Sequence, residues 1–312
     1  MPNLIYLKIH NIALHSFNGF TNLRKLELSK CSVAHLSSDE MSQSMPNLES
    51  IKIIYSDSVK SEHQLTNFNF KNFHKLRRLE IVEESDLDFI HTLPPSLSIL
   101  KMGKQIAFEH PNLKVLDICV AEFDAKVLSD LPSLRHLRIR NCSKINLNYE
   151  FLSNIESLLI GRTWQHFKSK IEQIELDFSK LINLKYLELY ENISLKPNSF
   201  SELKSLEELH LENLELTNSD LEGVFSNLKQ IRVLDLSKNL INNIDKKTFN
   251  GLENLTKLDV KGNDLDKVEP EEFLSVFPRL DELILSAGSR SEASKREYFA
   301  YFDSKFKKVV FV

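Results

Sequence analysis

The residue types that usually carry catalysis or bind metals are scattered along this sequence. Ten histidines and three cysteines are dispersed, and no close Cys/His spacing is typical of a zinc site. Gly-rich phosphate loops, a G-x-S-x-G turn and an H-E-x-x-H helix are all missing from the 312 residues. Cys119 is the one thiol predicted at an accessible position, and no neighbouring motif marks it as a nucleophile. We therefore predict a protein that is not an enzyme, with no catalytic residue, metal site or cofactor.

Charged and aromatic side chains that can bind another protein are concentrated in two stretches. The first stretch is basic, and the second combines acidic residues with tyrosines. Tyrosines beside carboxylates on an exposed sheet favour contact with a protein that carries Lys or Arg. The alternative is that opposite charges on adjacent strands only keep the sheet solvated. The candidate protein-binding residues are His136, Arg138, Arg140 and Arg162 in the basic set, and Tyr186, Glu188, Tyr190, Glu191, Glu208, His210 and Glu212 in the acidic set.

These residues lie within a repeated frame, L-x-x-L-x-L, that recurs over nearly the whole chain. About thirteen units follow one another at spacings of 16 to 29 residues. Alternate residues of a strand point to opposite faces, so the aliphatic positions are predicted to be buried and the residues between them exposed. A single unit cannot bury its apolar side chains alone, and stacked neighbours form one continuous core. The units begin at Leu4, Leu23, Leu48, Leu76, Leu97, Leu113, Leu134, Ile155, Leu184, Leu206, Ile231, Leu255 and Leu280.

The C-terminal units are the most regular. Asn239 and Asn263 follow the strands of two successive units, and Phe249 and Phe273 recur near the ends of those units. The asparagine side chain can bond backbone groups that a turn leaves unpaired. With this frame the chain resembles leucine-rich repeat proteins over residues 1 to about 285. Its C-terminal third resembles the repeats of Toll-like receptors and related insect ectodomains.

The resemblance implies an α/β repeat solenoid. We expect a leucine-rich repeat horseshoe with a concave parallel β-sheet of about 13–14 short strands and an irregular or helical convex side. The repeat array is predicted to cover residues 1–285, and residues 286–312 form a closing segment of loop, helix and final strand. A spine of phenylalanines is predicted to pack along the convex side. Its members are Phe17, Phe200, Phe225, Phe249 and Phe273.

The N-terminal half departs from the extracellular type of repeat. Cys31 and Cys142 stand where asparagine is expected, as in intracellular cysteine-type repeats. The segment PSLRHLRIRNCSKI resembles the repeats of F-box substrate receptors. Two compartments therefore stay open. The location is extracellular or at the cell surface if the chain is a truncated ectodomain, and cytoplasmic otherwise.

Composition narrows the class of partner. The net charge of −4 removes the long-range attraction to phosphate on which most nucleic-acid binders rely. No stretch approaches the roughly 18 uninterrupted apolar residues of a transmembrane helix. We expect a receptor- or adhesion-like module that binds a protein ligand on the concave face, as a fragment of a longer ectodomain, with no nucleic acid and no membrane insertion by this segment. The alternative is an intracellular adaptor, such as the substrate-recognition repeats of a ubiquitin ligase. The sequence indicates neither the ligand's identity nor the oligomeric state.

Overall fold

The described part of the chain falls into two compact units. The computed structural model describes residues 3–12, 14, 16–31, 37–54, 69–82, 93–103, 109–161, 174–190, 193–286 and 292–311. The N-terminal unit is Met1–Arg140 and the C-terminal unit is Asn141–Val312. In each unit, parallel strands follow one another in chain order, one from each repeat.

The N-terminal unit is built on seven described parallel strands. Its elements are β1 (Tyr6–His10), β2 (Lys25–Ser29), α1 (Ser38–Ser44), β3 (Ser50–Ile54), β4 (Arg78–Val82), β5 (Ile99–Met102), β6 (Val115–Cys119), β7 (Glu122–Asp124), a 3₁₀ turn (Ala125–Leu128) and β8 (His136–Arg140). The sheet order is β1-β2-β3-β4-β5-β6-β8. Leu7, Leu26, Ile51 and Leu79 are register partners on successive strands, so the repeated frame is stacked without a slip.

The C-terminal unit repeats this arrangement with seven described strands. Its elements are β9 (Lys144–Asn146), a 3₁₀ turn (Glu150–Asn154), β10 (Ser157–Gly161), β11 (Ile174–Glu175), β12 (Tyr186–Leu189), β13 (Ile193–Ser194), β14 (Glu208–His210), α2 (Asn218–Leu221), β15 (Val233–Asp235), β16 (Lys257–Asp259), α3 (Pro270–Val276), β17 (Glu282–Leu285), α4 (Glu292–Asp303) and β18 (Lys308–Phe311). The sheet order is β10-β12-β14-β15-β16-β17-β18. Leu187, Leu209, Leu234 and Leu258 are register partners. Across both units, fourteen described strands agree with the predicted 13–14.

The inward-facing aliphatic side chains form the core of each unit, as the frame predicts. Leu79 and Leu100 in the N-terminal unit and Leu187 and Leu258 in the C-terminal unit are completely buried. Burial of one such side chain stabilises the fold by about 1.5–3 kcal/mol. Leu7 in β1 is only half-buried, because no described strand lies on its outer side.

The asparagine that follows each regular strand joins neighbouring repeats. Asn239 is buried, and its Nδ2 donates to the carbonyl oxygens of Leu211 at 2.8 Å and Leu236 at 2.9 Å. Its Oδ1 accepts from the backbone N–H groups of Leu214 and Leu216, both at 3.0 Å. One side chain therefore satisfies donors and acceptors of two successive units, as predicted for this position.

The same position is occupied by cysteine in two other units, with weaker bonds. The Cys31 thiol is buried and contacts the carbonyl oxygens of Ile9 at 3.5 Å and Ser29 at 3.3 Å. The Cys142 thiol is also buried and donates to the carbonyl oxygen of Lys144 at 3.0 Å. A thiol is a weak donor and a weak acceptor, so it replaces only part of the asparagine's hydrogen bonding.

Phenylalanines fill the core behind the sheet. The five predicted members, Phe17, Phe200, Phe225, Phe249 and Phe273, are all buried, which confirms their predicted packing. Phe225 and Phe249 stack with ring centroids 6.2 Å apart, and Phe249 meets Phe277 edge-on at 5.4 Å. Phe273 contacts Phe302 of α4 edge-on at 5.7 Å, so the rings continue into the segment that follows the last regular unit.

None of the helices in the described ranges combines the length and the apolar character that a crossing of the bilayer requires.

Replacing Asn239 by Ala is expected to lower the free energy of unfolding by about 2–4 kcal/mol, because several buried backbone groups lose their partners at once. The measurement is urea denaturation followed by circular dichroism. Asn242→Ala is the matched control, since the Asn242 side chain is exposed and makes no hydrogen bond within the described structure. Equal losses in the two variants would contradict the role assigned to Asn239.

Candidate protein-binding surface

The exposed face of the C-terminal sheet carries side chains in rows that run across the strands. Adjacent strands lie about 4.8 Å apart, so successive members of a row are close neighbours. The central row contains three carboxylates and one histidine. In strand order, its members are Leu159, Glu188, His210, Asp235, Asp259, Ile284 and Val310.

Two further carboxylates flank this row. Glu208 begins β14 and Glu212 follows the end of the same strand. We call the five carboxylates the acidic face. It consists of Glu188, Glu208, Glu212, Asp235 and Asp259.

Two tyrosines hold Glu188 in place. The Tyr186 hydroxyl donates to Oε2 of Glu188 at 2.5 Å, and the Tyr190 hydroxyl donates to Oε1. All three side chains are half-buried. Burial and the hydrogen bond to Glu188 raise the pKa of Tyr186 and of Tyr190 well above the ordinary value, so both phenols stay protonated. The result is a rigid pair of rings around one carboxylate.

His210 lies next to this pair and is surrounded by negative charge. Its ring is 5.2 Å from the Tyr186 ring, its Nδ1 is 3.7 Å from Oδ2 of Asp235, and its Nε2 is 3.8 Å from Oε2 of Glu208. Burial alone lowers the pKa of His210, but the carboxylates of Asp235, Glu188 and Glu208 outweigh it, so the pKa is raised above its ordinary value. His210 therefore gains a proton more readily than a solvated histidine does.

The two aspartates of the central row are register partners in different environments. Burial alone raises the pKa of Asp235, but the His210 ring and the backbone N–H of Ser237, which donates at 2.9 Å, lower it overall. Asp259 accepts from the backbone N–H and the Nζ of Lys261, both at 3.0 Å. Its pKa is nevertheless raised, because burial outweighs these bonds.

Only part of the acidic face is neutralised by lysine. Lys261 is paired with Asp259, and the Nζ of Lys238 lies 2.7 Å from Oε1 of Glu212. Glu208 has His210 as its one ion-pair partner within the described structure. In the part of the chain that the structure describes, the five carboxylates thus share two lysines and one histidine.

The structure brings most of the predicted acidic set together. Tyr186, Glu188, Tyr190, Glu208, His210 and Glu212 lie on adjacent strands of one exposed face. Glu191 lies outside the described residues. Sequence reasoning missed Asp235 and Asp259, although both occupy the same position in the repeated frame as Glu188 and His210. Listing that one position down all units would have found them.

The N-terminal sheet arranges its central row differently, with strictly alternating charge. Lys8 lies 2.7 Å from Glu27. Further along, Lys52 and Lys101 lie 3.9 Å and 3.7 Å from the buried carboxylate of Glu80. We call this row the charge ladder. It consists of Lys8, Glu27, Lys52, Glu80, Lys101, Asp117 and Arg138.

The predicted basic set is placed at the end of the charge ladder. Arg140 donates from Nε to Oδ1 of Asp117 at 2.8 Å, and its Nη2 lies 2.7 Å from the same oxygen. Arg138 is the register partner of Asp117 and is exposed, as is His136. Arg162 lies outside the described residues. Arg140 is therefore engaged by a carboxylate of the neighbouring strand.

Comparison with known proteins identifies the repeats. A family model described as leucine rich repeat matches residues 210–265 and 229–287. The chain is 29% identical to the CD180 antigen of Mus musculus over 235 residues, which cover 72% of this chain and 34% of the relative. It is 28% identical to Toll-like receptor 3 of Bos taurus over 259 residues, which cover 81% of this chain and 26% of the relative. The chain is built from leucine-rich repeats.

Solved structures show the same fold. This leucine-rich repeat protein matches a chain of the mouse RP105/MD-1 complex with a TM-score of 0.60 at 20% identity, over 95% of this chain and 61% of that one. It matches the protein LIC12759 of Leptospira interrogans with a TM-score of 0.52 at 16% identity, over 100% and 84% of the two chains. A third match is the TLR13–ssRNA13 complex, with a TM-score of 0.50 at 18% identity over 99% and 54%. The predicted leucine-rich repeat solenoid is confirmed.

The alignments limit what the relatives say about this leucine-rich repeat protein. It spans about a third of the length of the CD180 antigen and about a quarter of Toll-like receptor 3. Its repeats resemble Toll-like receptor ectodomains, so it is a receptor-like leucine-rich repeat module.

Within the described ranges, no group of three or more His, Cys, Asp or Glu side chains is arranged to hold a metal ion.

Stability is expected to depend on pH through His210. A histidine with a raised pKa in the folded state stabilises the protein fully below its unfolded pKa, and this contribution is lost as the pH rises through the folded value. Wild type is therefore expected to exceed His210→Gln in stability by more at pH 6 than at pH 8.5. Thermal denaturation at both pH values measures this difference. His136→Gln, at an exposed position of β8, is the matched control. A constant difference between wild type and His210→Gln would refute the assignment.

Proposed function

We propose that this leucine-rich repeat protein is a receptor- or adhesion-like recognition module that binds a protein ligand through the acidic face. The ligand presents a segment that is rich in Lys and Arg. One observation carries the proposal, which is that within the described structure the five carboxylates of the acidic face have only Lys238, Lys261 and His210 as cationic partners. Asp235 and Asp259 are direct register partners. Glu188 lies two strands before Asp235, with His210 on the strand between them. Adjacent like charges on a sheet are destabilising unless a ligand compensates them.

The contrast between the two sheets supports this choice of surface. In the charge ladder, every carboxylate has a cation as its register partner on each side, so its field is largely cancelled. On the acidic face, the five carboxylates share two lysines and His210 among the described residues. The remaining negative potential attracts a cationic ligand and raises its rate of association. The same potential repels the phosphates of nucleic acid.

Tyr186 and Tyr190 add apolar contact area beside this charge. Tyrosines dominate many protein interfaces because they bury a large surface with few rotatable bonds. Both hydroxyls are already bonded to Glu188, so the rings are fixed before a ligand arrives. This preorganisation reduces the entropy that is lost on binding.

Two of the structural neighbours are found with a bound partner. RP105 is found in complex with MD-1, and TLR13 with ssRNA13. Because the face of this chain is acidic, we infer a basic protein rather than an RNA. For the basic set we infer a smaller part in ligand binding, since Arg138 and Arg140 both face Asp117.

An intracellular adaptor is the second candidate function. The observation that favours it is that all three cysteines are free, and that Cys31 and Cys142 are buried as reduced thiols in hydrogen-bonding positions. Labelling of intact cells with a membrane-impermeant amine reagent separates the candidates. A labelled chain favours the receptor-like module, and an unlabelled chain favours the adaptor.

Reversing two charges on the acidic face is expected to weaken binding of a cationic peptide at least about ten-fold. The variant is Glu208→Lys with Glu212→Lys, and the probe is a synthetic peptide of alternating Lys and Leu, measured by biolayer interferometry. The free energy of unfolding is expected to stay within about 1 kcal/mol of wild type, because Glu208 is exposed and the Lys238–Glu212 pair that is lost lies partly in solvent.

The matched control is Glu202→Lys with Glu271→Lys, which makes the same change in net charge at two exposed positions away from the strands. A control that loses as much affinity as the reversal on the acidic face would show that only net charge matters. That result, or unchanged binding by the first variant, would refute the proposed surface.

A further inference from the structure

A polar concavity lies in the C-terminal unit, outside the acidic face. It has a volume of about 440 Å³ and is formed by three successive repeats, beside the starts of β15 and β16. We call it the rim pocket. Three of its six lining residues are cationic, and the other three carry an amide or a hydroxyl. The lining residues are Lys229, Gln230, Arg232, Asn254, Thr256 and Arg279.

Hydrogen bonds between the repeats fix the walls of the rim pocket. Nδ2 of Asn254 donates to the carbonyl oxygen of Lys229 at 2.9 Å, and Nη1 of Arg279 donates to Oδ1 of Asn254 at 2.5 Å. The Thr256 hydroxyl donates to the carbonyl oxygen of Arg232 at 3.1 Å. Asn254 thus holds the Arg279 guanidinium against the pocket, and one nitrogen of that group is engaged.

Arg232 differs from Lys185 and Lys307, which occupy equivalent positions of other repeats and are paired with carboxylates. Each of these residues immediately precedes the strand of its repeat. Lys185 lies 3.1 Å from Glu156, and Lys307 lies 2.7 Å from Asp281. In the described structure, by contrast, the Arg232 guanidinium makes no ion pair and donates no hydrogen bond. Among the residues bonded to Arg232 through the backbone, Glu207 makes no ion pair within the described structure, and Thr256 is uncharged.

Lys229 is only weakly neutralised. Its Nζ lies 3.5 Å from Oε2 of Glu253, and both side chains are more than half exposed. An exposed ion pair at this distance contributes little to stability. Lys229 can therefore readily exchange Glu253 for a better anionic partner. The rim pocket therefore has one unengaged guanidinium, one guanidinium held in place and one loosely paired ammonium.

We propose that the rim pocket binds a tetrahedral oxyanion, the sulfate or phosphate ester of a small polar ligand, separately from the protein ligand of the acidic face. Arg232 donates two parallel hydrogen bonds to the oxyanion, and Lys229 adds a point charge. Gln230 and Thr256 provide amide and hydroxyl groups for the polar remainder of the ligand. The volume is within the range of small-molecule sites and exceeds that of one oxyanion.

Isothermal titration calorimetry with inorganic sulfate and inorganic phosphate tests the site directly. Wild type is expected to bind at least one of the two anions, and Arg232→Gln and Arg279→Gln are each expected to weaken that binding about ten-fold. Lys185→Gln is the matched control, because it removes a rim cation that is already paired. Calorimetry is preferred to a thermal shift since sulfate stabilises most proteins by exclusion from their surface.

Two sugar esters distinguish the source of the oxyanion. Glucose 6-sulfate or glucose 6-phosphate is expected to bind more tightly than the corresponding inorganic anion, and the tighter of the two identifies the ester. The proposal is overturned if neither inorganic anion binds, if Arg232→Gln binds as well as wild type, or if uncharged glucose binds as tightly as the esters. Since the acidic face is not altered in these variants, the result is independent of cationic-peptide binding.

Discussion

The structure depends on one constraint, which is that the aliphatic side chains of each repeat are buried only between those of its neighbours. Leu258 is buried because Leu234 and Leu283 lie on either side of it in register. Leu7, with a described neighbour on one side alone, remains half-buried. Because the core is a stack, each strand is held in register by both of its neighbours, and every residue between the buried positions is assigned to a row on the exposed face.

Because the strands are held in register, each exposed side chain has defined neighbours on the adjacent strands. Residues 16 or more positions apart in sequence become direct neighbours, and their charges either cancel or accumulate. The charge ladder shows cancellation, with the buried carboxylates of Glu80 and Asp117 between cations. The acidic face shows accumulation, because a histidine and two aspartates follow Glu188 on the next three strands. The same fold thus yields one sheet face whose charges are paired and another whose negative charges are only partly paired within the described structure.

The turns that connect the strands obey a second requirement, since backbone groups leaving a buried strand must find partners. Asn239 satisfies this with bonds to two successive repeats, and Asn263 repeats the arrangement one unit later by bonding Leu236 and Ile241. Where cysteine replaces asparagine, as at Cys31, fewer and longer contacts remain. The regular C-terminal repeats are therefore tied together more firmly at this turn.

The sequence by itself determined the frame, the parallel strands, the buried aliphatic and phenylalanine positions and the role of Asn239. It did so because these features depend on residue type at a fixed position within one repeat. The alternation within the frame also predicted that most of the acidic set lies on one surface. Only the tertiary structure decided which charges meet. The spacing of 16 to 29 residues varies, so the neighbour of a side chain is not at a constant distance in sequence, and long side chains choose among several partners. The pairing of Lys238 with Glu212 and of Arg140 with Asp117 could therefore be assigned only once the repeats were stacked. The same holds for the guanidinium of Arg232, which makes no ion pair in the described structure.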